Sequence, residues 1–153
     1  MRNEYEDYVK SIIKLHGNVQ LEHERQSVRS IEVLKQSCDM NKLFTEASSY
    51  YCTEIGNQKR TEFVYHSPLN NTDWRIECKS RKKLGLLGEI LRELNYVSKI
   101  AEKMYCLVLS DVLINQYFLE EIYTTIKEKN ISHKVWVGNA EQFKNLLIER
   151  IKI

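Results

Sequence analysis

Apolar side chains recur at two different spacings along the chain, and the change of spacing divides it. Over residues 5–15 and again over about 27–51 they recur every three or four positions, which predicts two helices. Gly17 is the predicted end of the first helix, and a break near 39–41 is an open alternative within the second. Gly56 then begins a turn, after which the spacing shortens to two.

The middle of the chain has the pattern of an antiparallel β-hairpin. Residues 61–67 are rich in aromatic and β-branched side chains, and residues 68–73 combine a proline with two asparagines, which is typical of a turn. In residues 74–80 apolar and charged side chains alternate strictly, so the charged ones share one face. These charged residues are Arg75, Glu77 and Lys79.

The rest of the chain alternates between helix and strand. The predicted elements are a helix at 84–103, a strand buried on both faces at 104–110, a helix at 114–130, a strand at 133–138 and a helix at 140–153. This order predicts an α/β fold with a mixed central sheet, in which an antiparallel hairpin is followed by β-α-β crossovers with helices on both faces. We expect a single domain over 1–153, formed by N-terminal helices (1–55), a hairpin, helix and strand core (56–110) and a C-terminal helix-strand-helix (111–153).

Composition and charge narrow the functional classes. Hydrophobic residues make up 42% and charged residues 29% of the 153 positions, which are ordinary globular values. The net charge of +2 means that any nucleic-acid surface must be a local patch. The chain has no apolar run near the roughly 20 residues of a membrane span and no signal-peptide pattern, so we expect a cytoplasmic protein without a membrane partner. The four cysteines lack zinc-site spacing, and we expect buried thiols.

The charged face of residues 74–80 carries the candidate chemistry. A central strand covered by helices is normally apolar on both faces, whereas this one bears Arg75, Glu77 and Lys79 directly after Asp73. Burying such charges is costly unless they are paired or bind a metal. One interpretation is an edge strand with a solvated outer face. The other is a metal site in which an acid and a lysine, two positions apart, project into a cleft.

The segment Ile76-Glu77-Cys78-Lys79, after a hairpin and before a helix and a strand, resembles the core of the PD-(D/E)XK nuclease superfamily. The resemblance covers about residues 27–110. It implies a restriction-endonuclease-like αβββαβ core and hydrolysis of phosphodiester bonds with Mg²⁺ or Mn²⁺. It also implies that Glu77 and an upstream acid hold the metal, while Lys79 assists the nucleophilic water.

The upstream acid has more than one candidate. The family often places it in a Pro-Asp pair at the end of the preceding strand, where this chain has Pro68-Leu69. Asp73 is the obvious replacement, although four residues of extended strand span about 13 Å, so the chain would have to curl or bulge before residue 74. Glu62, across the hairpin, is the other candidate. A further acid from the segment before the sheet would be Glu46 or Glu54.

A basic segment next to the motif predicts contacts with a polyanion. Arg81, Lys82 and Lys83 follow Lys79 closely, and with Arg75 they are the predicted phosphate contacts. We therefore expect a metal-dependent endonuclease acting on DNA, in repair, restriction or a mobile element. RNA is an alternative substrate, and a homodimer is an alternative to a monomer. The alternative function is a catalytically inactive module on the same fold that binds nucleic acid or a protein partner, because the Pro-Asp acid is missing.

Overall fold

The computed structural model of the protein describes residues 3–19, 31–48 and 60–151, without the side chains at 32, 33, 46, 48 and 60. The helices and strands in chain order are α1 (Glu4–His16), α2 (Ile31–Gln36), β1 (Lys42–Ser48), β2 (Arg60–Ser67), β3 (Thr72–Lys79), α3 (Leu86–Leu94), β4 (Met104–Leu109), α4 (Gln116–Glu128), β5 (Val135–Gly138) and α5 (Ala140–Ile151). Short 3₁₀ turns lie at Val97–Lys99 and Asp111–Leu113.

One five-stranded mixed sheet, in the order β1-β2-β3-β4-β5, forms the centre of the described structure. β1, β2 and β3 pair antiparallel, whereas β3, β4 and β5 pair parallel. The two parallel connections run through α3 and α4, as crossover connections require. The predicted α/β fold, with a hairpin followed by β-α-β crossovers, is confirmed.

Each face of the sheet is covered by its own helices. The apolar side of β3, with Trp74, Ile76 and Cys78, packs in one core with buried side chains of α1 and α5. The opposite side of β4 packs in a second core with α3 and α4. β4 therefore has buried side chains on both faces, as its continuous apolar run predicts.

Local signals explain where α1 begins and ends. The Asn3 side chain caps its N-terminus by accepting the N–H groups of Tyr5 and Glu6 at 3.0 and 3.3 Å. At its C-terminus a side chain on Gly17 would bring Cβ to 2.4 Å from the carbonyl oxygen of Ile13, so only glycine fits there. The predicted stop at Gly17 is confirmed.

The second predicted helix requires a correction. A helix does form at Ile31–Gln36, but residues 42–48 are strand β1, so the sheet gains a strand that the sequence pattern did not predict. Leu43 packs towards α1 and α5, whereas Phe44 packs with Val64 on the other face. Pairing with β2 satisfies the backbone of this segment, and a short apolar run does not distinguish helix from strand by itself. Residues 27–30 and 49–51 lie outside the described residues.

Smaller differences concern lengths and cysteines. The helix predicted at 84–103 ends at Leu94. Cys78 and Cys106 are buried free thiols as expected, Cys38 is a half-buried free thiol, and Cys52 lies outside the described residues. Across the described ranges, no helix has the length and apolar character needed to cross a membrane.

Candidate active site

The antiparallel pairing of β2 and β3 brings Glu62 and Glu77 together. Phe63 lies opposite Ile76, so Glu62 and Glu77 are the next residues beyond this pair. There a side chain of β2 bonds to the backbone of β3, because Oε2 of Glu62 accepts the N–H of Cys78 at 3.1 Å. The hairpin therefore places these two predicted metal ligands side by side at the end of β3.

Glu77 lies in surroundings that oppose its ionisation. Its side chain is buried, and the residue is only 6% exposed. Burial raises the pKa of Glu77 well above its usual value of 4.5, and the neighbouring Glu62 and Glu93 raise it further, while Lys79 acts in the opposite direction. Several carboxyl groups thus lie close together and repel one another when ionised. A bound divalent cation would reduce this repulsion.

Lys79 is enclosed by carboxylates at the same end of β3. Its Nζ lies 3.3 Å from Glu93 Oε1, 3.5 Å from Glu89 Oε1 and 3.7 Å from an oxygen of Glu77. Burial acts to lower the pKa of Lys79, but the surrounding glutamates outweigh this effect and raise the pKa above its usual value. Lys79 is therefore held as an ammonium, which can donate hydrogen bonds and balance negative charge but cannot accept a proton.

Glu89 and Glu93 were not predicted as site residues. They are four positions apart in α3 and so share one face of that helix, which packs over the end of β3. Glu93 is also fixed from the sheet, because its Oε2 accepts the hydroxyl of Tyr105 at 3.0 Å. The four-residue spacing of two acids in the helix after the motif was the available signal, but the same spacing is common on solvated helix surfaces.

A cleft of about 660 Å³ opens onto these groups. Its inner wall carries Glu62, Glu77, Lys79, Glu89 and Glu93, and its mouth carries the exposed loop between β3 and α3. The predicted phosphate contacts Arg81, Lys82 and Lys83 all line this mouth. Acidic side chains inside and basic side chains outside suit a phosphodiester strand with a metal ion bound beneath it.

Asp73 does not lie in this cleft, which corrects the first choice of upstream acid. β3 pairs continuously with β2 from Thr72 to Ile76, so the chain does not curl in the way that Asp73 would need. Its Oδ2 instead accepts Lys35 Nζ at 2.9 Å. Burial acts to raise the pKa of Asp73, but His66 and Lys35 prevail and lower it.

Arg75 is likewise not available to nucleic acid. It is 1% exposed, its Nη2 lies 2.5 Å from Glu102 Oε1, and its Nε donates to Glu102 Oε2 at 3.1 Å. This bidentate pair neutralises a charge beneath the sheet surface and is a structural contact. The edge-strand interpretation is also wrong, because β3 is the central strand and Glu77 is buried.

The two acids proposed from the segment before the sheet stay predictions. Glu54 lies outside the described residues. The backbone of Glu46 belongs to β1, but its side chain is not among those that the structure describes. Sequence reasoning placed Glu46 on a helix, so its position in a strand is a further consequence of the correction to β1.

The donor set fits a magnesium ion only in part. Among the described residues, no group of three or more His, Cys, Asp or Glu side chains is arranged to hold a metal. Glu62 and Glu77 do form an adjacent pair of carboxyl groups, one of them buried. Mg²⁺ is commonly bound by one or two carboxylates with water and substrate phosphates completing its six ligands. The pair therefore fits a metal shared with substrate and does not fit an all-protein cage.

Comparison of the chain with models of protein families, with curated proteins and with solved structures gave no significant match. Function must therefore be inferred from the side chains and the geometry of the cleft.

Proposed function

We propose that the protein is a divalent-metal-dependent nuclease that hydrolyses phosphodiester bonds of DNA in this cleft. The observation that carries the proposal is the convergence of Glu62, Glu77 and Lys79 at the end of a hairpin, beneath a basic loop. In the PD-(D/E)XK pattern, Glu62 takes the role of the upstream acid, Glu77 that of the acid in the motif and Lys79 that of the lysine.

Each group in the cleft has a role that follows from its surroundings. Glu62 and Glu77 would hold the metal ion, and a bound Mg²⁺ would polarise the phosphoryl oxygen and acidify a water molecule. Glu77 must lose its proton before it can serve as a ligand. Lys79, kept as an ammonium by Glu89 and Glu93, donates to oxygens that gain negative charge as water attacks phosphorus.

The basic loop has a positioning role in this proposal. Arg81, Lys82 and Lys83 lie at the mouth of the cleft, where the phosphates on either side of the cleaved bond would pass. Such contacts hold the strand in register without reading its bases. The proposed setting is DNA repair, restriction or a mobile element, with Mn²⁺ as an alternative metal.

A second candidate is a nucleic-acid-binding module without catalysis. It is favoured by the enclosure of Lys79 among carboxylates and by the donor set of only two adjacent acids in the described structure. Binding to DNA in the presence of Mg²⁺ and Mn²⁺, without cleavage, would support this candidate over the nuclease.

The test is cleavage of end-labelled single-stranded and duplex DNA by the wild type and by variants that conserve shape. Glu77→Gln and Glu62→Gln should each lower the cleavage rate by at least about 100-fold, because each removes a ligand from a metal that contributes several kcal/mol to the barrier. Asp73→Asn is the matched control, since it makes the same charge change on β3 outside the cleft. It should retain cleavage.

Calorimetric titration of Mg²⁺ separates metal binding from chemistry. We expect heat of binding with the wild type and with Asp73→Asn, and its loss in both glutamate variants. Cleavage that survives Glu62→Gln but is lost in folded Asp73→Asn would overturn the assignment of the upstream acid.

A further inference from the structure

A second groove adjoins the basic side of the cleft. It has a volume of about 330 Å³ and lies between the start of α3 and the start of α4. Lys82, Lys83 and Leu86 line both spaces, so the groove and the cleft adjoin one another. Any strand that lies across the mouth of the cleft can therefore extend into the groove.

Several apolar side chains that line this groove are exposed to water. Leu84 is fully exposed at the tip of the loop, and Tyr117 on the first turn of α4 is 67% exposed. Phe118 lies beside it, half-buried. The core of this half of the protein contains Ile122 and Ile126 of α4, so Tyr117 is not needed for burial of that helix. Exposed apolar side chains grouped in one groove indicate a binding surface.

The occupant must offer negative charge and flat apolar surface at a short separation. A single strand of nucleic acid does so, since its phosphates can contact Lys82 and Lys83 while an unpaired base stacks on an aromatic ring. Duplex DNA keeps its base faces inside its own stack and presents its backbone and base edges, so it offers no free base face to an aromatic ring. The basic rim therefore favours a nucleic acid over an apolar peptide, and the exposed aromatic ring favours a single strand over a duplex.

We propose that this groove binds an unpaired nucleobase, stacked on Tyr117, next to the phosphate bound in the cleft. This inference rests on the proposed function of the adjoining cleft and specifies its substrate class. The substrate is DNA with unpaired nucleotides beside the cleaved bond, such as a free single strand, a flap or an overhang.

The test measures binding in EDTA, where cleavage cannot occur. A short fluorescein-labelled single strand and its duplex are titrated with the wild type, Tyr117→Ala and Tyr123→Ala, the last being a matched control on α4 whose exposed tyrosine lies outside the groove. The wild type should prefer the single strand. Tyr117→Ala should weaken single-strand binding by about 5- to 100-fold and change duplex binding by less than about twofold.

Two further readouts distinguish stacking from a structural effect. A 2-aminopurine base in the strand should be quenched by the wild type and by Tyr117→Phe, but not by Tyr117→Ala. Equal single-strand affinity in Tyr117→Ala and Tyr123→Ala would overturn the inference, whatever the cleavage assay shows. If the wild type cleaves no DNA but still prefers the single strand in a way that depends on Tyr117, the nuclease proposal is overturned. The groove would then remain a binding site for single strands.

Discussion

At the residue scale, the ionisation of Glu77 links folding to pH and, in the proposed function, to metal binding. Its carboxyl group lies among two other acids and Lys79, and the raised pKa follows from burial first and from Glu62 next. Buried charged groups of this kind lower the stability of the folded protein. They are typical of sites where the same groups bind a ligand or take part in catalysis. Lys79, two positions later, carries a single positive charge and so can balance the charge of only one of these carboxylates.

The first prediction concerns this carboxyl group. Because the folded protein binds the Glu77 proton more tightly than the unfolded chain does, the free energy of unfolding should fall as the pH rises from about 4.5 through the raised pKa. Glu77→Gln cannot ionise, so we expect the variant to be more stable than the wild type at pH 8 and to lose that advantage near pH 4. Urea denaturation without metal at both pH values measures the difference.

Glu149→Gln, an exposed change on α5, serves as the control and should behave like the wild type. A stability difference between Glu77→Gln and the wild type that does not vary with pH would contradict the prediction. In the wild type, Mg²⁺ affinity should rise with pH over the same range, because the metal and the proton compete for Glu77.

At the element scale, α3 completes the candidate site. Its buried face includes Leu86, Ile90 and Leu94, and its acidic face directs Glu89 and Glu93 towards Lys79. The helix begins after Gly85, whose φ of 83° lies in the left-handed region. This residue therefore sets the direction in which the basic loop enters the helix.

The second prediction compares two glycines of this segment. Gly85→Ala should lower the free energy of unfolding by about 1–2 kcal/mol, because open space surrounds the position and only the positive φ opposes a side chain. Gly88→Ala should raise it by up to about 1 kcal/mol, because alanine favours the helix and the new Cβ would meet only Arg92 Nη1 at 3.6 Å. Urea denaturation of both variants tests this, and effects of the same sign would contradict it.

At the scale of the whole molecule, the positions of the charged residues indicate more about binding than the net charge does. The net charge is only +2, yet Arg81, Lys82 and Lys83 are adjacent and exposed beside the cleft. In the proposed function, attraction of a polyanion is therefore concentrated at this loop.

The third prediction uses salt dependence to locate this attraction. Replacing Arg81 and Lys82 with alanine should reduce the slope of log affinity for duplex DNA against log salt by about 2, since each phosphate contact contributes about 0.9. The control replaces Lys127 and Lys129, two exposed lysines near the end of α4, and should leave the slope unchanged. Equal slopes for the two double variants would place the DNA-binding surface elsewhere.

Local pattern was sufficient where a segment's own chemistry decides its structure. The turn residues after Ser67 and the alternation from Trp74 predicted the hairpin, and the same alternation placed Glu77 and Lys79 on one face. The continuous apolar run of β4 predicted a strand between two layers. These inferences succeeded because turns, strand alternation and the placement of neighbouring side chains depend on residues close in the chain.

Tertiary structure alone decided which distant side chains meet. Pairing of β2 with β3 selected Glu62 over Asp73, and packing of α3 over the sheet brought Glu93 to Lys79. The segment just before β4 brought Glu102 to Arg75 and buried that arginine, although its position on the charged face of the strand indicated a phosphate contact. By itself, the sequence determined the hairpin and its charged face, whereas strand register and helix packing decided which charges form a cleft, because those contacts join residues that local periodicity does not relate.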